Sequence, residues 1–245
     1  WTRQACSRAG VPYSLTVHAV DLYKPMASLP NVLRQACDVV AMTSYNQRLL
    51  AERYAVVAHL VRFGLNLQPL ANRDPPSGKP IVLSVGRNVP KKGLDLVCRV
   101  ATQLDDQANF VLYSNLPPQD HVVVKGLVPH SEVLAALAGA FLFVLPCRVA
   151  PDGDMDGLPV ALVEAMAAGV PVVTTSVSGI PELVDNEVGW LIPPDDVDAL
   201  YAAIRAALDN PAEARRRGAA GRDRVVALGY SRERLAMEMQ RILGV

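Results

Sequence analysis

The 245-residue sequence predicts an α/β protein built on parallel sheets, and three observations carry that prediction. Short runs rich in Val, Leu and Ile alternate with longer segments of helical period along almost the whole chain. Several of those runs, Phe141-Leu142-Phe143-Val144-Leu145 among them, are apolar without alternation, as strands buried on both faces must be. The composition, 51% hydrophobic and 20% charged, is that of a globular chain long enough for one large domain or two small ones. Strands and helices alternating in this way fold as right-handed βαβ units.

In chain order, strands are predicted at 13–18, 38–42, 58–62, 81–86, 110–113, 121–125, 141–145, 172–174 and 189–192. Helices are predicted at 29–36, 45–54, 93–104, 131–138, 159–168, 181–184, 196–208, 211–227 and 231–243. Trp1 to Cys6 lack the basic-then-apolar layout of a signal peptide and read as the interior of a helix, as though cut from a longer chain. The longest apolar run, Val133 to Cys147, is interrupted by Gly139 and Pro146 and falls short of the roughly 20 residues of a membrane span. It reads as a helix tail feeding a buried strand.

The stretch 70–80, LANRDPPSGKP, holds three prolines and one glycine and reads as a hinge between domains. About 65 residues precede it, too few to close a stable core alone, and about 165 follow it, which is enough. The predicted organisation is therefore a partial amino-terminal domain over 1–66, a linker over 67–79, a complete domain over 80–228 and a carboxyl-terminal helix over 229–245, placed to pack back on the first domain.

Lys+Arg and Asp+Glu both number 24, so no global basic field exists to hold nucleic acid. The four cysteines form no C-x-x-C pair, which argues against a disulfide scaffold or zinc ribbon and for reduced thiols in a cytoplasm. Arg215, Arg216, Arg217, Arg222 and Arg224 cluster on the predicted helix 211–227. They suit either a solvated face or peripheral contact with acidic headgroups at the inner face of the plasma membrane.

Two constellations carry chemistry. The first follows the strand at 81–86: Gly86-Arg87-Asn88-Val89-Pro90-Lys91-Lys92-Gly93. Gly86 lets backbone amides approach a ligand. Arg87 offers a planar fork and Lys92 a point charge, a pairing suited to a diphosphate, although two basic residues in a loop also suit bulk solvent. A P-loop is excluded, because Lys91 and Gly93 stand where that motif needs Gly and Ser or Thr.

The second runs from Asp152 through Asp154 and Asp156 to Glu164. Its start mimics a calcium loop, but Val163 occupies the twelfth position and Pro159 falls inside, so calcium is not expected. Pro159 reads instead as the first residue of a helix, leaving the Gly157 and Leu158 amides at its positive end. Asp156 then precedes the helix and Glu164 lies inside it, about 10 Å away at 1.5 Å rise per residue. That exceeds the spacing of most glycosidase carboxylate pairs. It suits either a sugar hydroxyl at one end and a ribose diol at the other, or two solvated acids flanking a core helix. His18 ends a buried-type strand at the carboxyl edge, where open α/β sheets place ligands. His59, His121 and His130 have no partners at metal-ligand spacing, and neither G-x-S-x-G nor G-x-G-x-x-G occurs.

These pieces, in this order, resemble the GT-B-fold retaining glycosyltransferases of family 4 (glycosyl transferases group 1). The resemblance rests on Ser84-Val85-Gly86-Arg87 with Lys92-Gly93, on Gly126-Leu127-Val128-Pro129-His130, and on Asp156-Gly157-Leu158-Pro159 through Glu164 to Val173. Gly179-Ile180-Pro181-Glu182, Gly189-Trp190-Leu191-Ile192 and, upstream, Leu15-Thr16-Val17-His18 extend it. It implies two Rossmann-like domains and transfer of a sugar, with retained configuration, from a UDP- or GDP-sugar to a saccharide or lipid-linked acceptor, in polysaccharide or glycoconjugate synthesis. No further cofactor and no obligatory metal are implied.

By the same resemblance Gly86, Arg87 and Lys92 hold the diphosphate, the Leu127–Val128 backbone meets the base, and Glu164 holds the ribose. Asp156 with the Gly157, Leu158 and Pro159 backbone would hold the transferred sugar, and His18 would reach it from across the cleft. The catalytic set is then His18, Arg87, Lys92 and Asp156. Two departures stand out: Asp156 is one methylene shorter than the family's usual Glu, and the family's glycine-rich first loop is absent from this chain. The alternatives are a truncated nucleotide-sugar-binding module without turnover, and a metal-dependent transferase using Asp152, Asp154 and Asp156.

Overall fold

The computed structural model describes residues 11–24, 26–68 and 78–244. The predicted helical stretch 1–6 and most of the predicted linker 67–79 lie outside the described residues. Two parallel sheets organise the rest. The smaller holds β1 (Ser14–Val17), β2 (Asp38–Ala41) and β3 (His59–Leu60) in the order β1-β2-β3. Its helices are α1 (Ala19–Tyr23), α2 (Leu29–Gln35) and α3 (Ser44–Tyr54). Its core is small and gathers Leu22, Leu29, Leu33, Val39 and Leu50.

The larger sheet contains β4 (Ile81–Val85), β5 (Asn109–Tyr113), β6 (Val122–Val124), β7 (Leu142–Leu145), β8 (Val172–Thr175) and β9 (Trp190–Ile192). Its order is β6-β5-β4-β7-β8-β9 with every pair parallel. Between and after the strands come α4 (Leu94–Leu104), α5 (His130–Gly139), α6 (Val160–Ala167), α7 (Val197–Asp209), α8 (Pro211–Ala227) and α9 (Arg232–Leu243). β7 and β8 are buried at every residue, which is why β7 runs apolar without alternation and the two threonines that end β8 need partners. The hydroxyls they enclose donate to strand carbonyls, Ser84 Oγ to Val144 at 2.6 Å and Thr174 Oγ1 to Leu145 at 2.8 Å. Helices start where the chain supplies caps: Asp196 accepts the Ala199 amide at 2.8 Å, and Asn210 accepts that of Glu213 at 3.1 Å.

Numbered by its own chain order, the larger sheet reads 3-2-1-4-5-6, so the crossovers reverse direction between β4 and β7. Open sheets bind ligands outside the carboxyl ends of the two strands that flank such a reversal.

Three local expectations change. The predicted helix 181–184 is a 3₁₀ turn at Ile180–Glu182, too short for a full α-turn after Gly179. Pro159 caps α6 in extended conformation (φ −65°, ψ 127°) and Val160 is the first helical residue, one position later than predicted. α1 was not predicted, because five residues hold little more than one turn and display no period.

The start of α9 meets the segment that leaves β3. The Leu65 amide donates to Tyr230, the Arg232 amide donates back to Leu65, both at 3.2 Å, and the Arg62 guanidinium stands 5.6 Å from the Tyr230 ring centre. The arginines of α8 are largely committed to their own surroundings. Arg216 and Arg217 both pair with Glu213, Arg217 also stacks on Trp190 at 4.4 Å, and Arg224 meets Asp185 at 2.7 Å. No helix among the described residues is long and apolar enough to cross a membrane.

Candidate functional site

The two loops that leave the reversal between β4 and β7 are locked together through backbone. After β4, the chain makes a 3₁₀ turn at Pro90–Lys92 and ends it with Gly93 in the left-handed region (φ 63°). A Cβ on Gly93 would stand 2.0 Å from the Pro146 carbonyl oxygen, so only glycine allows this approach. Two residues further, the Arg148 amide donates to the Lys91 carbonyl at 3.0 Å.

This contact delivers two lysines to the acidic loop. Lys92 Nζ meets Asp156 Oδ2 at 2.7 Å, and its aliphatic stem lies across Gly86. Lys91 Nζ meets Asp154 Oδ1 at 3.0 Å and Asp156 Oδ1 at 3.5 Å. The Lys92 and Asp156 side chains are each 15% exposed, so the pair is far better shielded than a surface ion pair. Beneath it the buried Cys147 thiol donates to Asp156 Oδ2 at 3.7 Å, and burial together with the Asp156 charge raises that thiol above the ordinary thiol range. Arg87 is exposed on the same loop and makes no ion pair among the described residues.

Asp156 faces a cleft of about 500 Å³ between the two sheets. One wall carries His18 and Met42; the other carries Lys91, Asp156, Gly157 and Leu158. At the start of α6 the Pro159 carbonyl accepts the Leu162 amide at 3.1 Å, while the Val160 and Ala161 amides find no acceptor among the described residues. A positive helix end therefore opens beside Asp156 and Lys92. A wider depression of about 880 Å³ beside α8 is lined by Arg216 and Arg224 and contains none of the predicted catalytic or donor-binding residues.

Helix α1 holds His18 at this cleft and is itself tied to the larger sheet. His18 precedes α1 and its amide donates to Asp21 at 2.8 Å. At the other end, Tyr23 donates to Asn46 Oδ1 at 2.5 Å and meets Ser178 Oγ at 2.6 Å, and burial pushes its phenol pKa up to about 12. Lys24 follows with an ion pair to Asp152 at 2.6 Å. Glu182 completes the join: its carboxylate accepts the Ser44 and Tyr45 amides, at 2.8 and 2.5 Å, at the N-terminus of α3.

The second part of the predicted site lies along the same sheet edge. Leu127 is exposed and Val128 half-buried in the turn from β6 into α5. Glu164, inside α6 and only 5% exposed, meets His130 Nε2 through Oε1 at 2.7 Å. Sequence reasoning passed over four participants: Lys91, His130, Tyr23 and Glu182. The Lys91-Lys92 repeat was a signal for the first, and the place of His130 just ahead of a helix was one for the second.

Among the described residues no group of three His, Cys, Asp or Glu side chains stands close enough to hold a metal ion. Asp152 and Asp154 face Lys24 and Lys91.

Comparison with known proteins follows the same lines. Residues 71–224 match the model of the family described as Glycosyl transferases group 1. The chain is 41% identical over 140 residues to the amylovoran biosynthesis glycosyltransferase AmsK of Erwinia amylovora, covering 50% of this chain and 34% of that protein. It is 35% identical over 162 residues to the GDP-mannose-dependent alpha-(1-6)-phosphatidylinositol monomannoside mannosyltransferase of Mycolicibacterium smegmatis, covering 59% and 42%. It thus spans between a third and a half of the length of these curated relatives. Its fold superimposes on Anabaena HepE, solved in complex with UDP-glucose, with a TM-score of 0.83 over 99% of this chain and 75% of that one, at 17% identity.

Proposed function

From the premise that the chain belongs to the glycosyl transferases group 1 family and carries its GT-B fold, we propose that the parent protein transfers a sugar from a nucleoside-diphosphate donor to a saccharide or lipid-linked acceptor. The observation that supports this reading best is the 2.7 Å contact between Lys92 and Asp156 at the sheet's reversal point, opposite His18. It sets a cation for a diphosphate beside a carboxylate for a sugar hydroxyl, within the span of one donor. One relative is tied to amylovoran synthesis, another to GDP-mannose and the HepE fold neighbour to UDP-glucose, which favours a GDP- or UDP-hexose and polysaccharide or glycolipid assembly. A lipid-linked acceptor would place the protein at the cytoplasmic face of a membrane.

In this reading the diphosphate takes up Lys92, Arg87 and the free amides at the start of α6, with Gly86 leaving room for it. Asp156, released from Lys92, accepts a hydroxyl of the sugar together with the Gly157–Pro159 backbone, while His18 closes over the sugar from the smaller sheet. The Leu127–Val128 backbone receives the base and Glu164 the ribose. As the bond from the anomeric carbon to the diphosphate breaks, negative charge grows on the leaving oxygen, where the cations and helix amides already point. No metal is required for that stabilisation. In this reading no carboxylate is assigned as a nucleophile toward the anomeric carbon. The acceptor oxygen therefore attacks from the leaving-group side, and its proton passes to the departing phosphate, which retains configuration.

The test is sugar transfer by the full-length protein with a panel of UDP- and GDP-sugars. Arg87→Ala and Lys92→Ala should each lower the rate by about a hundredfold or more, the scale of losing one positioned electrostatic donor, and EDTA should leave it intact. Near-normal rates in those variants would defeat the assignment. Donor binding without turnover would favour the binding-module reading.

A further inference from the structure

We propose that His130 is a positioning residue that orients Glu164 for the nucleotide's ribose. This rests on the reading above, in which Glu164 holds the ribose diol. Glu164 extends from the second turn of α6 and its side chain is 7% exposed. A carboxylate so enclosed needs a donor, because an unpaired buried charge loses its hydration without compensation. His130, the first residue of α5, supplies one at 2.7 Å from an adjacent loop, 34 residues away in the chain.

The asymmetry of the pair separates this role from ordinary packing. The His130 side chain is 66% exposed, so removing it opens no cavity in the core. Yet its Nε2–H occupies Oε1, leaving Oε2 to accept hydroxyls that arrive along the sheet edge. It also holds a side chain that otherwise samples many rotamers, and such preordering appears as ligand affinity rather than as stability. The turn that carries His130 also carries Leu127 and Val128, so base and ribose are addressed by one turn and the helix end it feeds.

The experiment is calorimetric titration of the full-length protein with UDP and GDP, each against its 2′,3′-dideoxy counterpart, using His130→Ala, His130→Gln and Glu164→Gln. His130→Ala should weaken binding of the preferred ribonucleotide by about five- to tenfold, the scale of one ordinary hydrogen bond, since His130 acts through Glu164 rather than on the nucleotide itself. It should also shrink the preference for the ribonucleotide over the dideoxynucleotide, while the melting temperature falls by no more than the few degrees of one lost hydrogen bond, because water enters where the exposed imidazole stood and rehydrates the carboxylate. His130→Gln, which sets an N–H near the same point, should restore most of the loss. Wild-type affinity in His130→Ala, or no rescue by Gln, overturns the inference while leaving the ribose assignment standing. An intact ribose preference in Glu164→Gln removes the assignment itself, and the inference with it.

Discussion

Gly93 and Gly126 offer a controlled comparison of what a methyl group costs at the site. Both lie in the left-handed region, at φ 63° and 72°. An alanine at either must accept that conformation, at about 1–2 kcal/mol. There the likeness ends. A Cβ on Gly126 meets nothing within 4 Å, whereas one on Gly93 stands 2.0 Å from the Pro146 carbonyl oxygen and 3.1 Å from its carbon. Both of those atoms are backbone, so no side chain can swing aside. The loops must part by more than an ångström, at an overpacking cost of about 1–3 kcal/mol. The Arg148–Lys91 backbone bond is strained in the process, which adds roughly 1 kcal/mol. Gly126→Ala should therefore lose about 1–2 kcal/mol and Gly93→Ala about 3–6 kcal/mol. At about 2–4 °C per kcal/mol for a chain of this size, the melting temperatures should fall by about 4 °C and about 14 °C. Urea denaturation with parallel thermal melts measures both. Two variants within about 1 kcal/mol of each other would refute the claim that the cationic loop is seated on the loop after β7 through Gly93.

Three further outcomes are expected. Because burial holds the Tyr23 phenol at about 12 against an ordinary 10, its neutral form adds stability that is complete below pH 10 and is lost as the pH rises through 12. The loss amounts to about 2.7 kcal/mol. Tyr23→Phe should be less stable than wild type at pH 8 and close the gap above pH 10; a constant difference in urea stability across that window would contradict it. Glu182→Gln removes a charge from the N-terminus of α3, and hydrogen exchange at the Ser44 and Tyr45 amides should quicken, so unchanged protection would disprove the latch. Hydrogen bonds from Arg216 and Arg217 hold the Glu213 carboxyl down to about 2 against an ordinary 4.5, so that contribution is present above pH 4.5 and disappears as the pH falls through 2. An NMR titration of Glu213 with its midpoint near 4.5 would show the pairing to be absent in solution.

Much of this arrangement was written locally in the chain. The run Phe141–Leu145 announces a strand buried on both faces, because only such a strand has no polar side to show. Pro159 and Gly93 announce the starts of helices, because a proline ring fixes the backbone and a glycine frees it wherever they occur. Local logic set Lys92, Asp156 and His18 in loops at the carboxyl edges of strands, and only the family pattern they resemble joined them as a set. Their spacing, and the family pattern they resemble, could be read without coordinates.

What no local rule reports is which side chains meet after the strands are ordered. Lys91 and Lys92 are neighbours, yet their separate partners, Asp154 and Asp156, follow from the seating of Gly93 against Pro146. Tyr23 finds Ser178 across 155 residues, Glu182 finds the start of α3 across 137 and 138, and His130 finds Glu164 across 34. The chain by itself determined its parallel α/β elements and the residue types at the sheet edge, since period, proline and glycine act over a few neighbours. Only the tertiary structure decided the pairings, because placing β4 beside β7 brings together loops that the sequence holds more than fifty residues apart.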